Sequence, residues 1–242
     1  MSHKYRRRPT KQMIIQTGTR LYLEHGFTNT SNSAICKALN ISNGQLTFHF
    51  PTKEHLLAVL VNELCDFQWK FIRDAAKKED SSLLAMCLEL AAMSSICSED
   101  EISRDFYLSA YNHPTTFEII SKNDAERAKA VIGSFCTDWT DEKFKRINDI
   151  VLGIEMITLM QASDNSDLLE NKIADALNSI MLLYQVPESY RQTKINKVLN
   201  MDYAGIGRQI LKDFVNYVDT KNTKELDEAW RAQTITVKEN GV

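Results

Sequence analysis

The 242-residue chain is poor in the two residues that break secondary structure. Its eight glycines and four prolines make up about 5% of it, where globular chains average roughly 12%. So few breakers exclude a protein of many short strands and predict long helices. No apolar run approaches the ~20 residues of a membrane helix. The basic N-terminus, MSHKYRRRPTK, is followed by no apolar signal core. The five cysteines (Cys36, Cys65, Cys87, Cys97 and Cys136) are odd in number and contain no C-x-x-C. That argues against a disulfide framework or a zinc site, and for small buried hydrophobes in a reducing compartment. Also missing are a Gly-rich phosphate loop, a G-x-S-x-G elbow and any His/Cys/Asp cluster at metal-binding spacing. The expectation is a soluble, cytoplasmic, all-α protein with no enzymatic chemistry, no metal and no cofactor.

What is present is unevenly charged. The whole chain carries −3, but residues 1–55 hold eight Lys and Arg against two acids, a balance of +6. The remainder therefore stands at −9. A basic head on an acidic body points to a head that meets a polyanion.

The head reads as short helices. Met13, Ile14, Gly18, Leu21 and Tyr22 recur at helical spacing over about 11–25, and Gly26 stops them. Thr30 or Ser31 caps a second helix carrying Ala34, Ile35, Ala38 and Leu39. Asn40 tolerates the left-handed conformation that ends a helix. Ser42 and Gln45 form the S-x-x-Q of a capping box, with Ile41 and Leu46 placed as a hydrophobic staple. Two short helices joined by a three-residue turn make the helix-turn-helix of DNA readers. A fourth helix starts after Thr52 and runs to about Lys78.

The stretch from Ile14 to Leu57 resembles the N-terminal DNA-binding region of the TetR family of transcriptional regulators. The matching residues are I-I-x-x-G-x-x-L-Y-x-E-H-G-F (14–27), T-S-x-x-x-I-C (30–36) and I-S-N-G-x-L-x-F-H-F-P-T-K-E-x-L-L (41–57). Thr47 stands where the family usually has an aromatic residue, Cys36 where it has Ala, and Asn40 where it has Gly. The resemblance implies an N-terminal helix-turn-helix, three-helix DNA-binding domain (1–55) and a larger helical ligand-binding and dimerisation domain (56–220). A polar tail (221–242) follows. It also implies a homodimeric, ligand-responsive regulator of double-stranded operator DNA, most often a repressor.

Within that frame the recognition helix is Asn43–His49. Asn43 and Gln45 suit adenine, while Thr47 and Phe48 suit a thymine methyl. Ser42, Thr30, Ser31 and His49 flank them as further DNA-contacting candidates. Lys53 sits among the free N–H groups of a helix start and resembles the family's phosphate-binding lysine. Arg7 and Arg8 form an arm suited to the minor groove.

The body is helical to about 219, including a helix expected over 115–138. Its candidate pocket residues are Phe67, Phe71, Met86, Phe106, Tyr111, Phe117, Phe135, Trp139, Met156 and Met160, which predict a small hydrophobic or aromatic effector. The run I-V-L-G-I-E-M-I-T-L-M is apolar nearly all round. With the stripe that follows it, this run predicts a dimer face over 141–186 through Ile150, Ile154, Ile157, Leu169, Ile173, Leu177, Ile180 and Tyr184. A constitutive DNA-binding regulator and a helical interaction module are the competing readings.

Overall fold

The computed structural model describes residues 11–76, 82–165 and 167–221, and every regular element among them is helical. The first three helices are α1 (Lys11–His25), α2 (Asn32–Leu39) and α3 (Asn43–His49). Gly26, at φ +84°, ends α1 in a conformation that a side chain would strain. Ser31 caps α2 by accepting from the Ala34 N–H. Asn40 closes α2 in the left-handed region (φ 53°), donating to the Cys36 and Lys37 carbonyls. The Ser42–Gln45 capping box is complete in both directions. The sequence pattern therefore specifies both sides of the turn that holds α3.

Helix α4 (Lys53–Ala76) spans 24 residues without a break. At 1.5 Å per residue it is about 36 Å long, enough to reach from head to body. The body continues with α5 (Ser82–Glu99), α6 (Glu101–Asn112), α7 (Pro114–Ile132), α8 (Asp141–Met160), α9 (Leu169–Leu183), α10 (Glu188–Leu199) and α11 (Tyr203–Thr220). The middle of the body is α5, which packs on α4, α6, α8, α9, α10 and α11. It is long and apolar enough to cross a membrane by composition, yet 72% of it is buried within the fold. Helix α11 crosses α5 at Gly207, where an added Cβ would lie 2.5 Å from the Ala92 carbonyl oxygen.

Two expectations need correction. The helix expected over 115–138 ends at Ile132, and Gly133–Phe135 tighten into a 3₁₀ turn. Helix α8, whose run is apolar nearly all round and so predicts burial on several faces, is buried on one side only: Ile150, Ile157 and Met160 are 52%, 44% and 45% exposed. They share an outer side, while Phe144, Val151, Leu152 and Leu159 face inward. All five cysteines are free. Burial pushes the Cys87 and Cys97 thiols up to about 12, so neither forms a reactive thiolate at neutral pH.

Candidate nucleic-acid interface and interior cavity

The head holds α3 by its inner side chains. Leu46 and Phe50 are each 1% exposed, sealed against a core that includes Ile14, Ile35 and Leu57. Helical geometry then turns the intervening residues outward. Asn43 and Gln45 are exposed, Thr47 and His49 are half-buried, and Phe48 protrudes with 82% of its surface free. So large an exposed aromatic ring, set edge-on to His49 at 5.1 Å, is available for contact with a partner.

The remaining candidates divide. Ser31 and Ser42 are exposed caps beside the turn. Thr30 is buried, and its hydroxyl donates to the Leu21 and Gly26 carbonyls, so it braces the α1–α2 turn rather than facing a ligand. The Gln45 Oε1 accepts from the Ser42 N–H at 3.0 Å, so bidentate pairing with adenine would break the capping box. Asn43 carries no such commitment. The Thr47 hydroxyl donates back to the Asn43 carbonyl at 3.0 Å, leaving its methyl outward. Lys53 Nζ donates to the Phe27 carbonyl at 3.0 Å and lies 4.2 Å above the Phe27 ring. An ammonium has three N–H donors, so two remain for a phosphate. Arg7, Arg8 and the tail from 222 lie outside the described residues.

The head meets the body at more than α4. Asp105 of α6 accepts from the Thr28 N–H at 2.9 Å and from the Thr28 hydroxyl. His113 packs edge-on to Phe27 at 5.4 Å. Behind α1, Gln12 and Gln16 donate to the Lys221 and Asp219 carbonyls, and Arg20 pairs with Asp219 at 2.6 Å. No motif marks Asp105 in the sequence; a single acid on a helix surface carries no periodic signal.

Inside the body, helices α4 to α9 enclose a cavity of about 70 Å³. Of the candidate pocket residues only Met86 and Tyr111 line it, joined by Tyr184 from the expected dimer set. Phe67 packs instead against Phe71 on its own helix and against Phe214 and Tyr217 on α11, and Phe106 is core. Phe135 packs on Tyr190, and Trp139 on Phe144 and Tyr184. Phe117 and Met156 pack on the core without lining the cavity, and Met160 is on the surface. Ile173, Leu177, Ile180 and Tyr184 are buried within the chain, so they do not lie on a free face.

The cavity wall is far more polar than expected. It holds Glu89, Asp124 and Glu155 around one guanidinium, Arg127. Arg127 Nη1 lies 3.7 Å from Glu89 and 3.6 Å from Asp124, and its plane sits 5.3 Å from the Trp69 ring. Burial works against the Arg127 charge, but Glu89, Cys65 and Asp124 outweigh it and hold the guanidinium protonated. Burial, reinforced by Glu89, pushes the Asp124 carboxyl up. Burial and the charge of Asp124 push Glu155 well above the usual carboxylate range. Burial likewise raises Tyr107 and Tyr111. Among the described residues, no group of three or more His, Cys, Asp or Glu is arranged to hold a metal ion.

Comparison with known proteins bears on both parts. Residues 14–60 match the family model of bacterial regulatory proteins, tetR family. A stretch of 83 residues is 31% identical to YuxN of Bacillus subtilis, an uncharacterized HTH-type transcriptional regulator, covering 34% of this chain and 28% of that protein. A stretch of 53 residues is 38% identical to the HTH-type transcriptional regulator UidR of Escherichia coli, covering 22% and 27%. The matched stretches thus span little more than a quarter of these curated relatives. Among solved structures, RolR in complex with resorcinol superposes with a TM-score of 0.61 at 16% identity, over 77% of this chain and 93% of that one. FadR of Thermus thermophilus in complex with lauroyl-CoA superposes with a TM-score of 0.55 at 15% identity, over 71% and 93%. These superpositions establish a shared fold, a helix-turn-helix head on a larger helical body.

Proposed function

We propose that this chain, a TetR-family transcriptional regulator by its N-terminal domain, is a cytoplasmic homodimeric repressor released from operator DNA by a small molecule held in the body. The observation that carries DNA reading is the outer side of α3: an exposed Asn43, a protruding Phe48 and a rigid capping box behind them. Support for effector control comes from two helices that each touch both halves. Helix α4 places Lys53 in the head and Gln68 and Trp69 on the cavity wall. Helix α6 places Asp105 on the head and Tyr107 and Tyr111 on that wall. A ligand that shifts either helix changes the angle at which α3 is presented, and a differential affinity of ~1–3 kcal/mol between the two states gives a 5–150-fold effect. Two fold neighbours hold resorcinol and lauroyl-CoA, so the fold does not fix one ligand chemistry.

The test is binding to duplexes selected by the protein from a random pool. Lys53→Ala should weaken binding to all duplexes alike and flatten the salt dependence by about one phosphate's worth. Asn43→Ala should relax preference at one base pair by ~1–3 kcal/mol. Altered sequence preference in Lys53→Ala, with none in Asn43→Ala, would contradict these roles.

A further inference from the structure

We infer that the body cavity takes a small organic cation, an ammonium on a flat apolar framework. This rests on the effector reading above and names its chemistry. The carboxylates on the wall outnumber the cations three to one. Arg127 is shared between Glu89 and Asp124, and Glu89 also accepts from the Gln68 amide at 2.8 Å. Glu155 is different. Its Oε2 accepts from the Tyr111 hydroxyl at 3.0 Å, and among the described residues its other oxygen has no donor and no cation lies within 4 Å. It keeps a partly accessible surface that lines this cavity and the smaller void beside it.

The neutral polar groups on the wall are already committed to one another. The Tyr107 hydroxyl donates to Gln68 at 2.9 Å, and the Tyr184 hydroxyl donates to Asn148 at 3.1 Å. The Asn148 amide in turn donates to the Ser121 carbonyl. What remains unsatisfied is the Glu155 carboxyl, which becomes a full acceptor when an ammonium supplies the compensating charge and its proton leaves to solvent. A ligand that brings N–H donors and a positive charge satisfies it; a ligand that brings only acceptors meets repulsion. Tyr111 and Tyr184 line the same space, which puts aromatic rings within reach of a bound cation. Trp69 and Arg127 also line a surface groove with Asp66 and Glu126, so this stacked pair divides the cavity from solvent. It is the element that must swing to admit a ligand larger than the closed space.

The experiment compares three probes of one shape and different charge on the full chain: benzylammonium, benzyl alcohol and benzoate, by calorimetry at neutral pH. Benzylammonium should bind at least tenfold more tightly than the alcohol, and benzoate most weakly. Glu155→Gln should bring the amine to within threefold of the alcohol, with a circular-dichroism melt at pH 5 no lower than the wild type's reporting an intact fold. Asp124→Asn should lower amine affinity in the same direction. Alcohol or benzoate binding as tightly as the amine would overturn the inference. So would no amine binding at millimolar concentration, or an unchanged preference in Glu155→Gln. If the amine binds as expected yet leaves affinity for a selected duplex unchanged, the effector reading fails and the site stands. If instead only the neutral alcohol loosens DNA, the cation chemistry fails and the effector reading stands.

Discussion

Glu155 shows at the residue scale how a sequestered carboxyl trades stability for a site. Its folded carboxyl titrates well above the usual range because burial and Asp124 disfavour the anion. The folded state therefore holds a proton that the unfolded chain gives up, and stability from this residue is full below the ordinary carboxylate range and lost as pH rises above it. Glu155→Gln keeps an acceptor for Tyr111 without the charge. It should raise the melting temperature at pH 8, with a gain that shrinks toward pH 4–5 in melts followed by circular dichroism. A gain independent of pH would show that Glu155 is not the titrating group. The sequence hid this residue inside I-V-L-G-I-E-M-I-T-L-M, a run that reads as apolar and as a dimer face. Glu89, Asp124 and Arg127 were hidden too, because a polar residue on an amphipathic helix has the same spacing whether it faces solvent or a cavity.

At the scale of elements, the legible parts are those whose signal is local. The Ser31 cap, the left-handed Asn40 and the Ser42–Gln45 box depend on neighbours within four residues, and they stand where the sequence places them. The end of α7 was not legible, since apolar residues continue through Phe135 at helical spacing past the tightening at Gly133. Nor was the pairing of helices. Phe67 has the composition of a pocket residue, and only the docking of α11 turns it into an aromatic cluster with Phe214 and Tyr217. That docking depends on Gly207, which lets α11 approach the backbone of α5. Gly207→Ala puts a methyl against the Ala92 carbonyl and should cost about 1–3 kcal/mol, a fall of roughly 3–10 °C in melting temperature. An unchanged melt would mean that the two helices separate freely.

For the whole molecule, the outer side of α8 supplies what a partner copy needs. Ile150, Gly153, Ile154 and Ile157 line a groove with Lys172, Asp175 and Ser179 of α9. Two exposed isoleucines a pair of turns apart on one side of a helix are unusual on a monomer surface, and a two-fold axis beside α8 would bury them against their copies. Ile150→Glu combined with Ile157→Glu leaves the inward side of α8 untouched. Sedimentation should then show a folded 27.7 kDa chain, whereas the wild type should sediment as a pair. A pair that persists in the double variant would place the interface elsewhere.

A lone α3 of seven residues offers little contact area, so specific reading requires two copies on one duplex. The decisive measurement is the stoichiometry of the protein on a duplex that it selects from a random pool, taken by sedimentation with the selected sequence read out. The expected result is two chains on inverted half-sites whose centres lie one or more helical turns apart. One chain on a single unrepeated site, or no enrichment over random sequence, would contradict a two-fold DNA-reading regulator.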